Sequence, residues 1–168
     1  MTFEPPISWL NAHRNNRRIS VAADTPSLCQ QEVTYYASMP DSTVLVVDDD
    51  PVILKLLEVN FEMEGFNVLL AQDGTEGIEV ARRDQPDIIV SDIMMPRQSG
   101  LELVAELKGD AATRDIPIIL LSAKAQNADV RSGMDAGADD YITKPFEPLD
   151  LVDRVNRLLS SNASKRPS

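Results

Sequence analysis

The sequence predicts an α/β fold, a doubly wound parallel sheet of five strands with helices on both faces. Strand-length apolar runs alternate with segments of helical periodicity five times between Thr43 and Ser160. Crossovers that contain a helix join parallel strands, and parallel strands covered on both faces form nearly continuous apolar runs. Polar groups follow several of the runs, at the sheet edge where open α/β folds bind ligands.

Short runs of apolar and β-branched residues predict the strands. The third is central, because Ile88-Ile89-Val90 leads directly to a carboxylate, Asp92, and Pro96 and Gly100 break the chain beyond it. Its lack of alternation indicates a strand buried on both faces. The five predicted strands are Thr43–Val47, Asn67–Ala71, Ile88 to Asp92, Ile116–Leu121 and Asp140–Thr143.

Capping residues and helical periodicity predict the helices. Asp50 is a suitable N-cap and Pro51 a suitable first-turn residue, and that helix is expected to stop near Gly65. The last helix has apolar residues at i, i+1, i+4, i+7 and i+8, which form one apolar face. The predicted helices start at Asp50-Pro51, at Asp73 or Gly74, at Ser99, at about Ala125 (ending at Asp135) and at Glu147-Pro148.

Composition excludes several classes of function. The net charge of −11 comes entirely from residues 41–168, because three basic and three acidic side chains cancel within 1–40. An acidic surface argues against direct nucleic-acid binding. The single Cys29 excludes a disulfide framework and fits a reducing cytosol, so we expect a cytoplasmic protein. Neither a membrane span nor a signal peptide is visible, and no membrane partner is expected.

The chain divides into three parts by composition. Residues 1–40 lack sustained periodicity and are expected to be disordered or loosely docked. Met39, just before the first strand, is an alternative start of the chain. Residues 41–160 carry the alternating pattern and form the compact domain. Residues 161–168 are polar and are expected to form a flexible tail.

Polar residues at the strand ends suggest a phosphoryl-transfer site. Asp48-Asp49-Asp50 follows the first strand, Asp92 ends the third, Ser122 ends the fourth, and Lys144 follows the fifth. In a parallel sheet these groups share one edge. Clustered carboxylates repel one another and need a cation, and ligands that are all oxygen favour Mg²⁺. An ammonium and a hydroxyl beside metal-bound carboxylates suit phosphoryl transfer, with a carboxylate as nucleophile.

These motifs together resemble the receiver domain of two-component response regulators, over about Thr43 to Ser160. Ser99 stands where that family often has aspartate, and Gln98 where an apolar residue is usual. The matching segments are the acidic segment Val46–Pro51, the phosphoacceptor loop Asp92–Pro96 with Gly100, the switch segment Leu121–Ala123, and the lysine segment Gly137–Tyr141 with Lys144–Phe146. The resemblance implies a flavodoxin-like sheet with strand order 2-1-3-4-5.

The resemblance also implies the acceptor and the metal ligands. Asp92 would accept a phosphoryl group from a histidine kinase or a phosphotransfer protein. Asp48, Asp49 and Asp92 would hold Mg²⁺, together with the main-chain carbonyl of Met94. The module would not be an enzyme in the usual sense, because it would show at most slow self-dephosphorylation.

Phosphate-contacting and switch residues are implied in the same way. Lys144 would contact the phosphoryl group, next to a cis Lys144-Pro145 bond. Ser122 would contact the phosphate and form the switch pair with Tyr141. The output would be a downstream protein effector or a homodimer, through the face formed by helix 4, strand 5 and helix 5. We expect no DNA-binding output domain, unless the chain is a fragment of a longer regulator.

A metal-dependent hydrolase with an aspartyl-phosphate intermediate is the main alternative. Hydrolases of the haloacid dehalogenase type also place a nucleophilic aspartate after a strand, and they usually add a second acid two residues later. Here that position is Met94, which supplies no acid or base. An unphosphorylated pseudo-receiver is disfavoured, because no site residue is missing. The sequence therefore favours the signalling module.

Overall fold

The computed structural model describes residues 42–123 and 127–163, which form a parallel sheet with helices on both faces. The expected N-terminal extension, residues 1–40, lies outside the described residues. The strands are β1 Thr43–Val47, β2 Asn67–Ala71, β3 Ile88–Asp92, β4 Ile118–Ser122 and β5 Asp140–Thr143. The helices are α1 Pro51–Met63, α2 Gly74–Asp84, α3 Gly100–Gly109, α4 Asn127–Asp135 and α5 Pro148–Ala163.

The sheet has the order β2-β1-β3-β4-β5, and every neighbouring pair is parallel. The chain first adds β2 beside β1, then crosses to the other side of β1 for β3, β4 and β5. This reversal is the switch point of a doubly wound sheet, where ligands bind beyond the carboxyl ends of the strands. The predicted fold class and strand order are confirmed.

Alternation along the central strands separates the core into two layers. Val44 and Val46 face α1 and α5, whereas Leu45 and Val47 face α2 and α3. All four are fully buried, which explains the continuous apolar run of a strand covered on both faces. Each such side chain contributes about 1.5–3 kcal/mol when it leaves water.

In the described ranges, no helix combines the length and apolar content that a membrane crossing requires.

Side-chain caps fix where the first three helices begin. The Asp50 carboxylate accepts a hydrogen bond from the Val52 amide at 2.9 Å, and Pro51 occupies the first turn. The Asp73 carboxylate accepts one from the Glu76 amide at 2.9 Å. Ser99 and Glu102 form a reciprocal capping box at the start of α3. The caps predicted at Asp50, Asp73 and Ser99 are therefore present.

The fourth strand and the last two helices differ in extent from the sequence pattern. Strand β4 begins at Ile118, two residues later than expected. Pro117 has no N–H to donate to the sheet, and the Ile116 amide instead donates to the Thr113 carbonyl in the preceding turn. Helix α4 begins at Asn127, and Ala125 lies outside the described residues. Helix α5 continues to Ala163, so part of the expected tail is helical; residues 164–168 lie outside the described ranges.

Candidate functional site

Four strand ends bring polar side chains to one edge of the sheet. Asp48 and Asp49 follow β1, Asp92 is the last residue of β3, and Ser122 is the last residue of β4. Lys144 follows β5. Because all five strands are parallel, these ends lie along the same edge, as the sequence predicted.

Three carboxylates cluster closely enough to share a cation. One oxygen from each of Asp48, Asp49 and Asp92 lies within 4.8 Å of the others. Asp48 and Asp92 are buried and Asp49 is exposed, so the cluster opens to solvent on one side. Like charges at such spacing destabilise one another, and a hard divalent cation with oxygen ligands relieves this repulsion. The residues present therefore fit a divalent cation.

Lys144 connects two of these carboxylates. Its ammonium lies 3.1 Å from an oxygen of Asp48 and 3.0 Å from an oxygen of Asp92. Its main-chain N–H donates to the Ser122 carbonyl at 2.7 Å, which fixes the end of β5 beside β4. The Lys144-Pro145 peptide bond is cis. The ammonium thus points back into the acid cluster.

Burial and charge shift the pKa values of this pair. Burial raises the pKa of the Asp92 carboxyl, and the hydrogen bond from Lys144 offsets only part of that rise. Burial alone would lower the pKa of Lys144, but the hydrogen bonds to Asp92 and Asp48 outweigh it, so that pKa is raised. Lys144 therefore stays cationic at neutral pH, and an ionised Asp92 gains from a further positive charge.

A cavity of about 510 Å³ adjoins the acid cluster. It lies between the loop after β3, the start of α3, helix α4 and the half-buried Tyr141, and it reaches Asp49 and Ser122. Helix α4 packs closely on the tyrosine ring, since a Cβ at Gly133 would lie 3.0 Å from it. The two residues predicted to form the switch pair, Ser122 and Tyr141, therefore line one cavity.

The loop after β3 returns tightly on the acceptor strand. The Gly100 amide donates to the Ile93 carbonyl at 3.0 Å. A Cβ at Gly100 would collide with the Asp92 carbonyl oxygen and would lie 3.0 Å from the Ile93 Cα. Glycine is therefore required here by space, which the sequence indicated only as a chain break. The exposed thioether of Met94, two residues after Asp92, supplies no acid or base.

Sequence reasoning missed how this loop is attached to α2. Arg97 pairs with Asp73 at 2.7 Å, so the aspartate that caps α2 has a second partner. Gln98, noted only as an unusual polar residue, accepts a hydrogen bond from Thr75 at 3.3 Å and donates one to Glu106 at 3.1 Å. No local pattern links residues so distant in sequence, and only the fold brings them together.

A parallel sheet with a switch point, an acid cluster and a lysine at its carboxyl edge defines a receiver-type signalling module. The sequence model of the response regulator receiver domain matches residues 44–156. The chain therefore belongs to the family of response regulator receiver domains, the phosphoacceptor modules of two-component phosphorelays, and this prediction is confirmed.

Known proteins support this placement. The chain is 43% identical over 116 residues to the DNA-binding dual master transcriptional regulator RpaA of Synechocystis, a match that covers 69% of this chain and 48% of that protein. The receiver domain of the Francisella response regulator 1452 has a TM-score of 0.68 at 36% identity, covering 71% of this chain and 98% of that one.

A third similar protein carries a metal. The receiver domain of sensor histidine kinase PA1611 from Pseudomonas aeruginosa PAO1 has a TM-score of 0.67 at 30% identity, covering 72% of this chain and 99% of that one. That structure has a magnesium ion coordinated in its active-site cleft.

The chain spans about half the length of the curated relatives that it matches. RpaA is described as a DNA-binding regulator. The expectation that no DNA-binding domain belongs to this protein therefore stays a prediction.

Proposed function

We propose that this chain accepts a phosphoryl group on Asp92 from a histidine kinase or a histidine-containing phosphotransfer protein. The observation that carries the proposal is the Asp92 carboxylate, which is buried, lies 3.0 Å from the Lys144 ammonium and shares a cluster with Asp48 and Asp49. A buried carboxylate beside a lysine ammonium and a candidate Mg²⁺ site is a suitable nucleophile for phosphoryl transfer.

The metal in this proposal is Mg²⁺. The residues that would hold it are Asp48, Asp49 and Asp92, with the main-chain carbonyl of Met94 as a further oxygen ligand. When bound, the ion neutralises charge on the phosphoryl oxygens. Asp50 is not among the ligands, because its carboxylate caps α1.

The chain's own residues carry the transfer. A carboxylate oxygen of Asp92 attacks phosphorus, a C–O–P bond forms, and the phosphorus–nitrogen bond to the donor imidazole breaks. The electron pair of that bond stays on the imidazole nitrogen. The Lys144 ammonium contacts the transferred oxygens, and the Ser122 hydroxyl donates to one of them. Nothing at Met94 activates water, so hydrolysis of the product is slow.

The donor docks on an exposed apolar stripe of α1. Four large apolar side chains, each at least 40% exposed, repeat at intervals of four, three and four residues, which places them on one face of the helix. This is the spacing of a helix–helix seam. The stripe begins two residues after the Asp50 cap, beside the acid cluster. Its members are Val52, Leu56, Val59 and Met63.

The signal leaves through the face formed by α4, β5 and α5, toward a downstream protein effector or a second copy of the chain. Ser122 moves toward the phosphate, and Tyr141 turns into the cavity that both residues line. Arg154 of α5 pairs with Asp140 of β5 at 2.8 Å, so a shift of β5 is transmitted to α5. Phosphorylation then biases a two-state equilibrium of this face.

Phosphorylation with a small donor tests the site. The protein is incubated with phosphoramidate and Mg²⁺, and the modified residue is located by mass spectrometry. Modification of Asp92 is expected in wild type and is absent in Asp92→Asn. Unchanged uptake by Asp92→Asn, or no uptake at millimolar Mg²⁺, contradicts the proposal.

Two further measurements test docking and output. Leu56→Glu is expected to slow transfer from a phosphorylated histidine phosphotransfer domain at least tenfold, with phosphoramidate labelling unchanged; equal slowing of both reactions contradicts the docking stripe.

Amide exchange with beryllofluoride and Mg²⁺ is expected to change within residues 127–163. Changes confined to the loop after Asp92 contradict this route of output.

A further inference from the structure

The loop that follows the acceptor contains a strained turn. Arg97 has φ 69°, in the left-handed region that non-glycine residues rarely occupy. The main-chain N–H of Gln98 donates to the Pro96 carbonyl at 2.8 Å, which closes a three-residue turn around Arg97. Three-residue turns with positive φ are rare and strained, so neighbouring contacts have to hold them in place.

Two side chains hold this turn against α2 and α3. The Arg97 guanidinium pairs with Asp73 at 2.7 Å, with exposed fractions of 76% and 12% for the two side chains. The side-chain amide of Gln98 links Thr75 of α2 to Glu106 of α3. We call these contacts, between Arg97 and Asp73 and from Gln98 to Thr75 and Glu106, the loop clasp.

Backbone packing brings the turn close to the first residue of α2. A Cβ at Gly74 would lie 2.8 Å from the Gln98 carbonyl oxygen, so only glycine leaves room for the loop. At the other end of the loop, Gly100 is pressed against the backbone of Asp92. The segment between these two glycine contacts contains Met94, three residues before Arg97.

We propose that Arg97 and Asp73 are positioning residues for the metal site, because their ion pair holds the loop in the shape that presents the Met94 carbonyl. The inference rests on the proposed function. Without this ion pair, the turn leaves the strained conformation for part of the time. The apparent affinity for Mg²⁺ then falls in proportion to the fraction of molecules whose loop is in the metal-binding conformation. The loss expected from one exposed ion pair is roughly two- to five-fold in the dissociation constant for Mg²⁺.

The test is a Mg²⁺ titration followed by amide chemical shifts, which needs no phosphorylation. Arg97→Ala and Asp73→Ser each raise the dissociation constant two- to five-fold; serine still caps α2 and removes only the charge. The double variant is no weaker than either single variant, because both remove one contact. Arg97→Lys recovers most of the affinity, and 1 M NaCl abolishes the difference from wild type.

Arg83→Ala is the matched control, because Arg83 makes an exposed ion pair of the same length with Asp84 on α2 but lies outside the loop. It leaves Mg²⁺ affinity unchanged. Equal dissociation constants for wild type, Arg97→Ala and Asp73→Ser overturn the inference, and so do additive effects in the double variant. The proposed function fails separately, if wild type itself shows no saturable Mg²⁺ binding at the acid cluster.

Discussion

Replacement of Gly100 by alanine is expected to destabilise the fold and to disturb the acceptor. The new Cβ would collide with the Asp92 carbonyl oxygen and would lie 3.0 Å from the Asp92 carbonyl carbon and the Ile93 Cα. All three are backbone atoms of the acceptor segment, so no flexible side chain can move aside.

The expected magnitude follows from two opposing contributions. Glycine to alanine within a helix gains at most about 1 kcal/mol from propensity. Overpacking in a close-packed interior costs about 1–3 kcal/mol, and contact with backbone favours the upper end of that range. The net loss is therefore about 2 kcal/mol in the free energy of unfolding. The shifted Asp92 backbone is also expected to slow labelling by phosphoramidate in the folded protein.

Gly109→Ala supplies the control within the same helix. Gly109 is the last residue of α3, and a Cβ there would meet nothing within 4 Å. This variant is expected to be as stable as wild type or slightly more stable. Urea unfolding of the three proteins measures the difference. A Gly100→Ala protein with wild-type stability would refute the steric argument.

Three other predictions concern the site and its surroundings. Mg²⁺ at ten times its dissociation constant is expected to stabilise wild type by about 1.4 kcal/mol by mass action, and an equal melting-temperature shift in Asp49→Ala would be inconsistent with the assigned site. Lys144→Ala is expected to retain Mg²⁺-dependent stabilisation but to lose the amide-exchange response of residues 127–163 to beryllofluoride; a wild-type response would remove Lys144 from the coupling. Hydrogen bonds from the Ser99 amide and hydroxyl lower the pKa of Glu102. A carboxyl group whose pKa is lowered by folding stabilises the folded state fully above its ordinary pKa of 4.5, and this stabilisation is lost as the pH falls through the lower pKa of the folded state. The difference in unfolding free energy between wild type and Glu102→Ala should therefore be full at pH 7 and should decline only below about pH 4.5.

Local chemistry carried most of the fold prediction. Apolar runs identified the strands because both faces of a parallel strand are covered, and Asp50, Asp73 and Ser99 marked helix starts because a cap depends on residues two or three positions away. The start of β4 was misjudged, because Ile116 is as apolar as its neighbours. Ile116 lies outside the strand because Pro117 interrupts the sheet hydrogen bonding and the Ile116 amide donates to the Thr113 carbonyl.

The residues of the acid cluster were found by the same means. Once the strands are parallel, Asp48, Asp92 and Lys144 must reach one edge, so a spacing along the chain becomes a proximity in space. The sequence divided the Asp48-Asp49-Asp50 triplet by predicting Asp50 as the N-cap of α1, and the carboxylate of Asp50 does accept the hydrogen bond from the Val52 amide. That division depends on the orientation of α1 after β1, and it leaves Asp48 and Asp49 for the cluster.

The loop clasp, the glycine contacts and the exposed α1 stripe were decided by tertiary structure alone. Helix α2 and strand β3 separate Asp73 from Arg97 along the chain, and Gly100 meets the Asp92 carbonyl only after the chain turns back. The apolar residues of α1 are visible in the sequence, but periodicity cannot distinguish the face that packs on the sheet from the face that meets solvent. Packing of one particular surface against the core makes that distinction, and it depends on the whole fold at once.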